Sequence, residues 1–161
     1  METNKIALAH RLREVLLNGT WIANTNFKEQ ITGVSWKEAI YRVEQLNSIA
    51  MLTYHINYYI QGLLEVLRGG TLTIHDQFSF DLPDIRNKKD WEHLTKEFLS
   101  NAELFARHVE QMDDQIFSQT FVDEKYGTYL INIEGVIEHS YYHLGQVALI
   151  RKLIQQGAHQ V

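Results

Sequence analysis

Apolar residues recur every three or four positions along four stretches of the chain, and each stretch predicts an α-helix. In the first, about Lys5 to Asn18, the stripe is Ile6, Ala9, Leu12, Val15 and Leu16, and Asn18-Gly19 is a stop signal. The second opens at Ser35-Trp36-Lys37-Glu38. This is a capping box: the serine hydroxyl takes a free amide of the first turn and the glutamate reaches back to the serine amide. It is predicted to run to Arg68, where Gly69-Gly70 ends it, a length of about 50 Å at ~1.5 Å per residue. The third opens near Asn87 or Asp90 and carries Trp91, Leu94, Phe98, Ala102, Phe105, Val109, Met112 and Ile116 on one side. The fourth runs from about Thr128 to Gln156. Its stripe is Val136, His139, His143, Ile150 and Leu153, with Asn132 and Gln146 on the same face, so polar side chains hold four places that a core would give to apolar ones.

Two connections are long, Thr20 to Val34 and Gly69 to Arg86, where about 2–8 residues is usual between packed helices. The expectation is therefore all-α: a four-helix bundle with long crossover connections, formed by residues 1–161 as a single domain. A chain of 161 residues can bury a substantial core without staples.

Composition narrows the chemistry. Fifteen basic against 20 acidic residues give a net charge of −5, and no basic run exists, which argues against nucleic acid as a partner. No stretch of about 18 uninterrupted apolar residues predicts a membrane span, and Lys5 and His10 interrupt any secretory core at the N-terminus. The expected location is cytoplasmic. The chain has no Cys, which excludes disulfides, thiolate metal sites and a cysteine nucleophile, but it has eight His. Phosphate-binding loops, dinucleotide fingerprints, HExxH and GxSxG are absent, and no Glu-x-x-His pair supports a di-iron site.

His139 and His143 stand at i and i+4, one turn apart on one face, the spacing that two ligands of one metal ion require. Alone, such a pair also fits a surface pair or two hydrogen-bonded core histidines. Asn132 and Gln146, on the same stripe, are candidates to hydrogen-bond the far ring nitrogens. His55, in the most apolar part of the second helix, is a third candidate, although a wheel puts it opposite the seam Ala39, Val43, Leu46, Ala50, Thr53, Asn57, Ile60 and Leu64. Either the helix is buried on both sides there or His55 faces a rim. His75 is a remoter candidate beside Asp76; His10, His93 and His108 read as solvated, and His159 as part of a frayed tail.

The run Glu138-His-Ser-Tyr-Tyr-His-Leu-Gly-Gln146 resembles the His-x-x-x-His-x-Gly-Gln signature of the DinB-like superfamily, which includes the YfiT-type metalloenzymes. His55 in Leu52-Thr-Tyr-His-Ile-Asn57 is similar to the family's third histidine, and Gly19-Thr-Trp21 to the start of its first loop. The resemblance covers nearly the whole chain in helix order. It implies a bundle of nonstandard connectivity with one divalent ion held by His55, His139 and His143 at one end of a cleft. It also implies a transferase or isomerase that uses a low-molecular-weight thiol.

Three neutral imidazoles leave a coordination position open, and zinc, nickel or ferrous iron accepts such a set. Because the chain has no Cys, a thiol in this chemistry must come from outside. The expectation is a metal-dependent thiol S-transferase or hydrolase acting on a small electrophile, with Gln146, Asn132, Tyr58 or Tyr59 orienting the substrate. The rival expectation is a non-catalytic bundle with a structural or vestigial metal site. A homodimer is expected in either case, and in the rival the Tyr54, Tyr58 and Tyr59 face would be its interface.

Overall fold

A computed structural model describes residues 4–157 of the chain, and these are all-helical. The elements are α1 (Asn4–Arg13), α2 (Phe27–Ile31), α3 (Trp36–Ile40), α4 (Ile49–Leu67), α5 (Lys88–Gln111) and α6 (Tyr129–Gly157). A π-helical turn, Glu14–Asn18, prolongs α1 to the Asn18-Gly19 stop. α4 packs on α5 and α6, and α1 packs on the same two helices. Their inward stripes form one apolar cluster whose largest fully buried side chains include Phe27, Phe98 and Phe105.

Local signals act as read. Ser35 Oγ accepts from the Glu38 amide while the Glu38 carboxylate takes the Ser35 amide at 2.8 Å, so the capping box is complete. Asn87 caps α5 by accepting from the amides of Lys89 and Asp90. Gly69, at φ 87°, follows the end of α4 in the left-handed conformation that glycine adopts without strain. Ser35→Ala is expected to cost about 1 kcal/mol of unfolding free energy, read as a lowered urea midpoint at constant slope.

The long second helix is the main correction. It breaks between α3 and α4, at residues 41–48. Tyr41 leaves α3 extended, Glu44 turns through φ 50°, and Ser48 caps a new helix by accepting from the Met51 amide. The Arg42 guanidinium holds the broken segment by donating to the carbonyls of Leu46 and Gln45. Leu46, expected in the seam, is consequently 43 % exposed.

Two smaller differences follow from capping. α5 ends at Gln111, and Ile116 lies in a 3-10 turn that the Asp113 side chain caps, not in the helix. The first long connection contains α2, which Asn26 caps and which carries Phe27 and Ile31 into the core. No helix among the described residues is long and apolar enough to cross a membrane.

The second long connection, residues 69–87, crosses over α4. Leu72 and Ile74 pack on the core, and Ile74 lies against Gly62 so closely that a Cβ there would be 2.5 Å from its Cδ1. Tyr58 fixes the crossing: its hydroxyl donates to the His75 carbonyl at 3.1 Å and accepts from the His75 amide at 3.0 Å.

Candidate metal centre

The crossover explains the position of His55. α4 is buried on both sides at this level, the seam against the core and the His55 side under the crossing segment. His55 is 5 % exposed and stacks on Phe80 at 3.9 Å between centroids. α6 brings His139 and His143 to the same point from the other side. Among the described residues, His55, His139 and His143 are the group of side chains placed to share a metal ion, their ligand atoms all within 4.8 Å of one another.

The hydrogen bonds fix how the rings present themselves. His55 Nδ1 lies 3.2 Å from the Ser79 carbonyl, which can only accept, so Nδ1 carries the proton and Nε2 keeps its lone pair. His143 Nδ1 donates to Gln146 Oε1 at 2.6 Å, which frees its Nε2 in the same way. Both of these lone pairs face His139 Nε2, at 3.2 Å from His55 and 2.9 Å from His143. His139 has at most one proton to offer there. It can satisfy one neighbour, and the other contact then sets lone pair against lone pair.

A divalent cation removes that conflict. Bonds of about 2.0–2.1 Å to imidazole put neighbouring ligand nitrogens about 2.9–3.4 Å apart, and both observed separations fall in that range. The donor set and these two separations suit the ion, and the Ser79 carbonyl and Gln146 carboxamide are the outer partners that orient two of the rings.

Burial and the neighbouring rings keep the site neutral. Desolvation first, then His143 and His139, push the His55 pKa down to about 4. Desolvation and His143 do the same to His139, also to about 4. Desolvation lowers His143 too, opposed by its bond to Gln146. Three uncharged imidazoles thus stand ready at neutral pH.

A pH dependence follows for the metal-free chain. An unfolded histidine protonates below about 6.5, whereas folded His55 and His139 hold out to about 4. Between those values the unfolded state binds more protons, so stability is full above pH 6.5 and falls as the pH drops towards 4. Urea midpoints of chelator-treated protein are expected to fall from pH 7 to pH 5, less steeply in His139→Ala. Equal slopes in the two proteins would contradict the assignment.

Several expectations change here. Gln146 takes its place on His143, but Asn132 does not reach the rings: its amide donates to the carbonyls of Tyr126 and Thr128 and closes the start of α6. His75 stays outside the cluster, exposed, with its ring on Phe78. His10 and His93 are exposed, His108 is half-buried, and His159 lies outside the described residues.

Tyr59 stands edge-on to both His55 and His139, with centroids at 5.1 and 5.2 Å, and its hydroxyl donates to Asp76. Ser79, Phe80 and Gly62 escaped the sequence reading. A backbone carbonyl leaves no residue signature, and a single glycine in a helix pattern gives no sign of what crosses it. Comparison with protein-family models, with curated proteins and with solved structures finds no match to this chain.

Proposed function

We propose that this chain is a metal-dependent enzyme whose His55, His139 and His143 hold one divalent ion, zinc or nickel before iron, in an open site. The observation that carries the reading is that His139 Nε2 lies 3.2 Å from the Nε2 of His55 and 2.9 Å from that of His143, with two of the Nδ1 atoms tied outward. The four long helical segments and the resemblance of the Glu138–Gln146 run to the DinB-like signature support a bundle of that superfamily.

Held by His55, His139 and His143, such an ion would supply the Lewis acidity that activates a thiol or water at neutral pH. The chain's own groups do the rest. Ser79 and Gln146 hold two rings in the ligating tautomer. Phe80 and Tyr59 cover His55 on two sides, and Asp76 holds the Tyr59 hydroxyl. The substrate class is a small electrophile, with a low-molecular-weight thiol as co-substrate. No fourth histidine or carboxylate joins the three histidines among the described residues, which favours an exchangeable position over a closed structural site.

The second reading is a structural site, favoured by its place: the ion would tie α4 to α6 under the crossover. The Tyr54, Tyr58 and Tyr59 face expected to be the dimer interface in that case is half-buried, with the Tyr58 and Tyr59 hydroxyls already bonded to the crossing segment.

Cobalt-loaded protein separates the readings. Addition of 2-mercaptoethanol is expected to produce a sulfur-to-cobalt charge-transfer band that saturates at one thiol per ion and is missing in His143→Ala. A spectrum unmoved by the thiol would remove the enzyme reading in its thiol-dependent form.

A further inference from the structure

The break in the second predicted helix builds something. Between residues 45–47 and the C-terminal half of α6 lies a cavity of about 320 Å³, at the small end of the range for small-molecule sites, about 300–1,000 Å³. Its apolar wall is Leu52 and Ile150, both buried, with Leu46 and Leu149 at the rim. Its polar wall is three carboxamides, Gln45, Asn47 and Gln146. No charged side chain lines it.

Two features set this cavity apart from a gap left by an irregular loop. The segment that walls it is held in a defined shape: Glu44 sits at φ 50°, a conformation costly for a residue with a Cβ, and Arg42 directs its guanidinium to the segment's own carbonyls. A continuous helix over 41–48 would have kept Leu46 in the seam and left no such wall. The carboxamides are also unused. Gln146 accepts from His143 through Oε1, but its Nε2 makes no hydrogen bond to protein among the described residues, and neither do the side chains of Gln45 and Asn47.

We infer that this cavity is a binding site for a small uncharged molecule that joins a short aliphatic chain to an amide-type head, and that its occupant is sensed at His143 through Gln146. The aliphatic wall takes the chain. The head meets groups that both donate and accept, which matches an amide. A carboxylate or ammonium would lose its hydration without gaining a counter-charge from the lining. Because Gln146 faces the cavity and also holds the His143 Nδ1 proton, a ligand that engages the carboxamide alters that bond. The occupant lies on the Nδ1 side of His143, away from the three converging Nε2 atoms, so this is a site beside the metal centre and does not depend on the centre holding an ion.

The test uses the metal-free full chain and hexanamide as the probe, with hexanoate and hexylammonium as charged counterparts of similar size. In nitrogen-resolved NMR spectra hexanamide is expected to move the amides of Leu46, Leu149 and Ile150, the Gln146 side-chain amide and the His143 ring nitrogens along one saturable curve. The charged probes are expected to bind at least ~10-fold more weakly, given the cost of burying an unpaired charge.

Leu149 is 55 % exposed, so Leu149→Asp keeps the fold and is expected to weaken hexanamide by a similar factor. Arg42→Ala, which frees the wall while leaving every lining side chain in place, is expected to weaken it too. Absence of a saturable response, equal binding of the charged probes, or unchanged binding in Leu149→Asp would overturn the site. Stationary Gln146 and His143 signals during saturation at Leu149 would overturn the link to the metal centre.

Discussion

Zinc added to the metal-free chain is expected to bind at one ion per chain and to raise the unfolding midpoint, and His139→Ala is expected to lose both effects. His139 is the decisive ligand because its Nε2 lies between the other two, 3.2 Å from that of His55 and 2.9 Å from that of His143. Without it, the remaining pair has no third donor to close the site.

The expected loss of affinity exceeds the roughly 100-fold that removing an outer partner such as Gln146 costs, since a donor is lost and not only its orientation. At zinc a thousandfold above its dissociation constant, wild type gains about 4 kcal/mol by mass action. The metal-free variant is expected to behave differently. It loses a half-buried imidazole that cannot satisfy both neighbours, so its stability in chelator stays near that of wild type. Mass spectrometry under native conditions and thermal unfolding with and without zinc read the two effects separately. Zinc bound at wild-type strength by His139→Ala would place the site elsewhere.

Gly62→Val tests the crossover. A side chain at position 62 would start 2.5 Å from Ile74 Cδ1 and 2.6 Å from its Cγ2, so Ile74 must repack and the crossing segment or α4 is pressed to move with it. Overpacking of this kind costs about 1–3 kcal/mol. The same segment carries Ser79 and Phe80, which orient and cover His55. Displacing it is expected to lower zinc affinity by about 10–100-fold, as for loss of an outer partner, while one ion per chain is still bound. The combined result separates this variant from a simple core defect, which would lower stability and leave the affinity alone. Unchanged affinity with reduced stability would show that the crossover does not organise the site.

How much of this was legible depends on the range of the interaction. Ser35 with Glu38, Asn87 with the first amides of α5, and the Gly69 stop are contacts within a few residues, and the spacing of the side chains specifies them. The pairing of His139 with His143, and of His143 with Gln146, is local in the same sense: one turn of α6 delivers both. The break at residues 41–48 carries no Pro or Gly to announce it. Helical periodicity continues through Val43 and Leu46, yet the Ser48 cap and the reach of Arg42 favour the broken form. Asn132 misled for the opposite reason. Its position on the stripe is right, but a nearer pair of carbonyls claims its amide.

The sequence by itself determined α1, α5 and α6, the caps at Ser35 and Asn87, the inward faces of α5 and α6, and two of the three histidines of the candidate centre. All of these follow from spacings of three and four residues, which a helix converts into neighbours without reference to the rest of the chain. Tertiary structure decided what brings His55 to that pair across 84 positions of sequence. It also decided that the 69–87 crossover covers His55 and that the broken helix leaves a cavity beside Gln146. Those outcomes depend on where the chain folds back on itself. That is set by the packing of whole faces and by backbone carbonyls such as Ser79, and neither is written in the identity of any one residue.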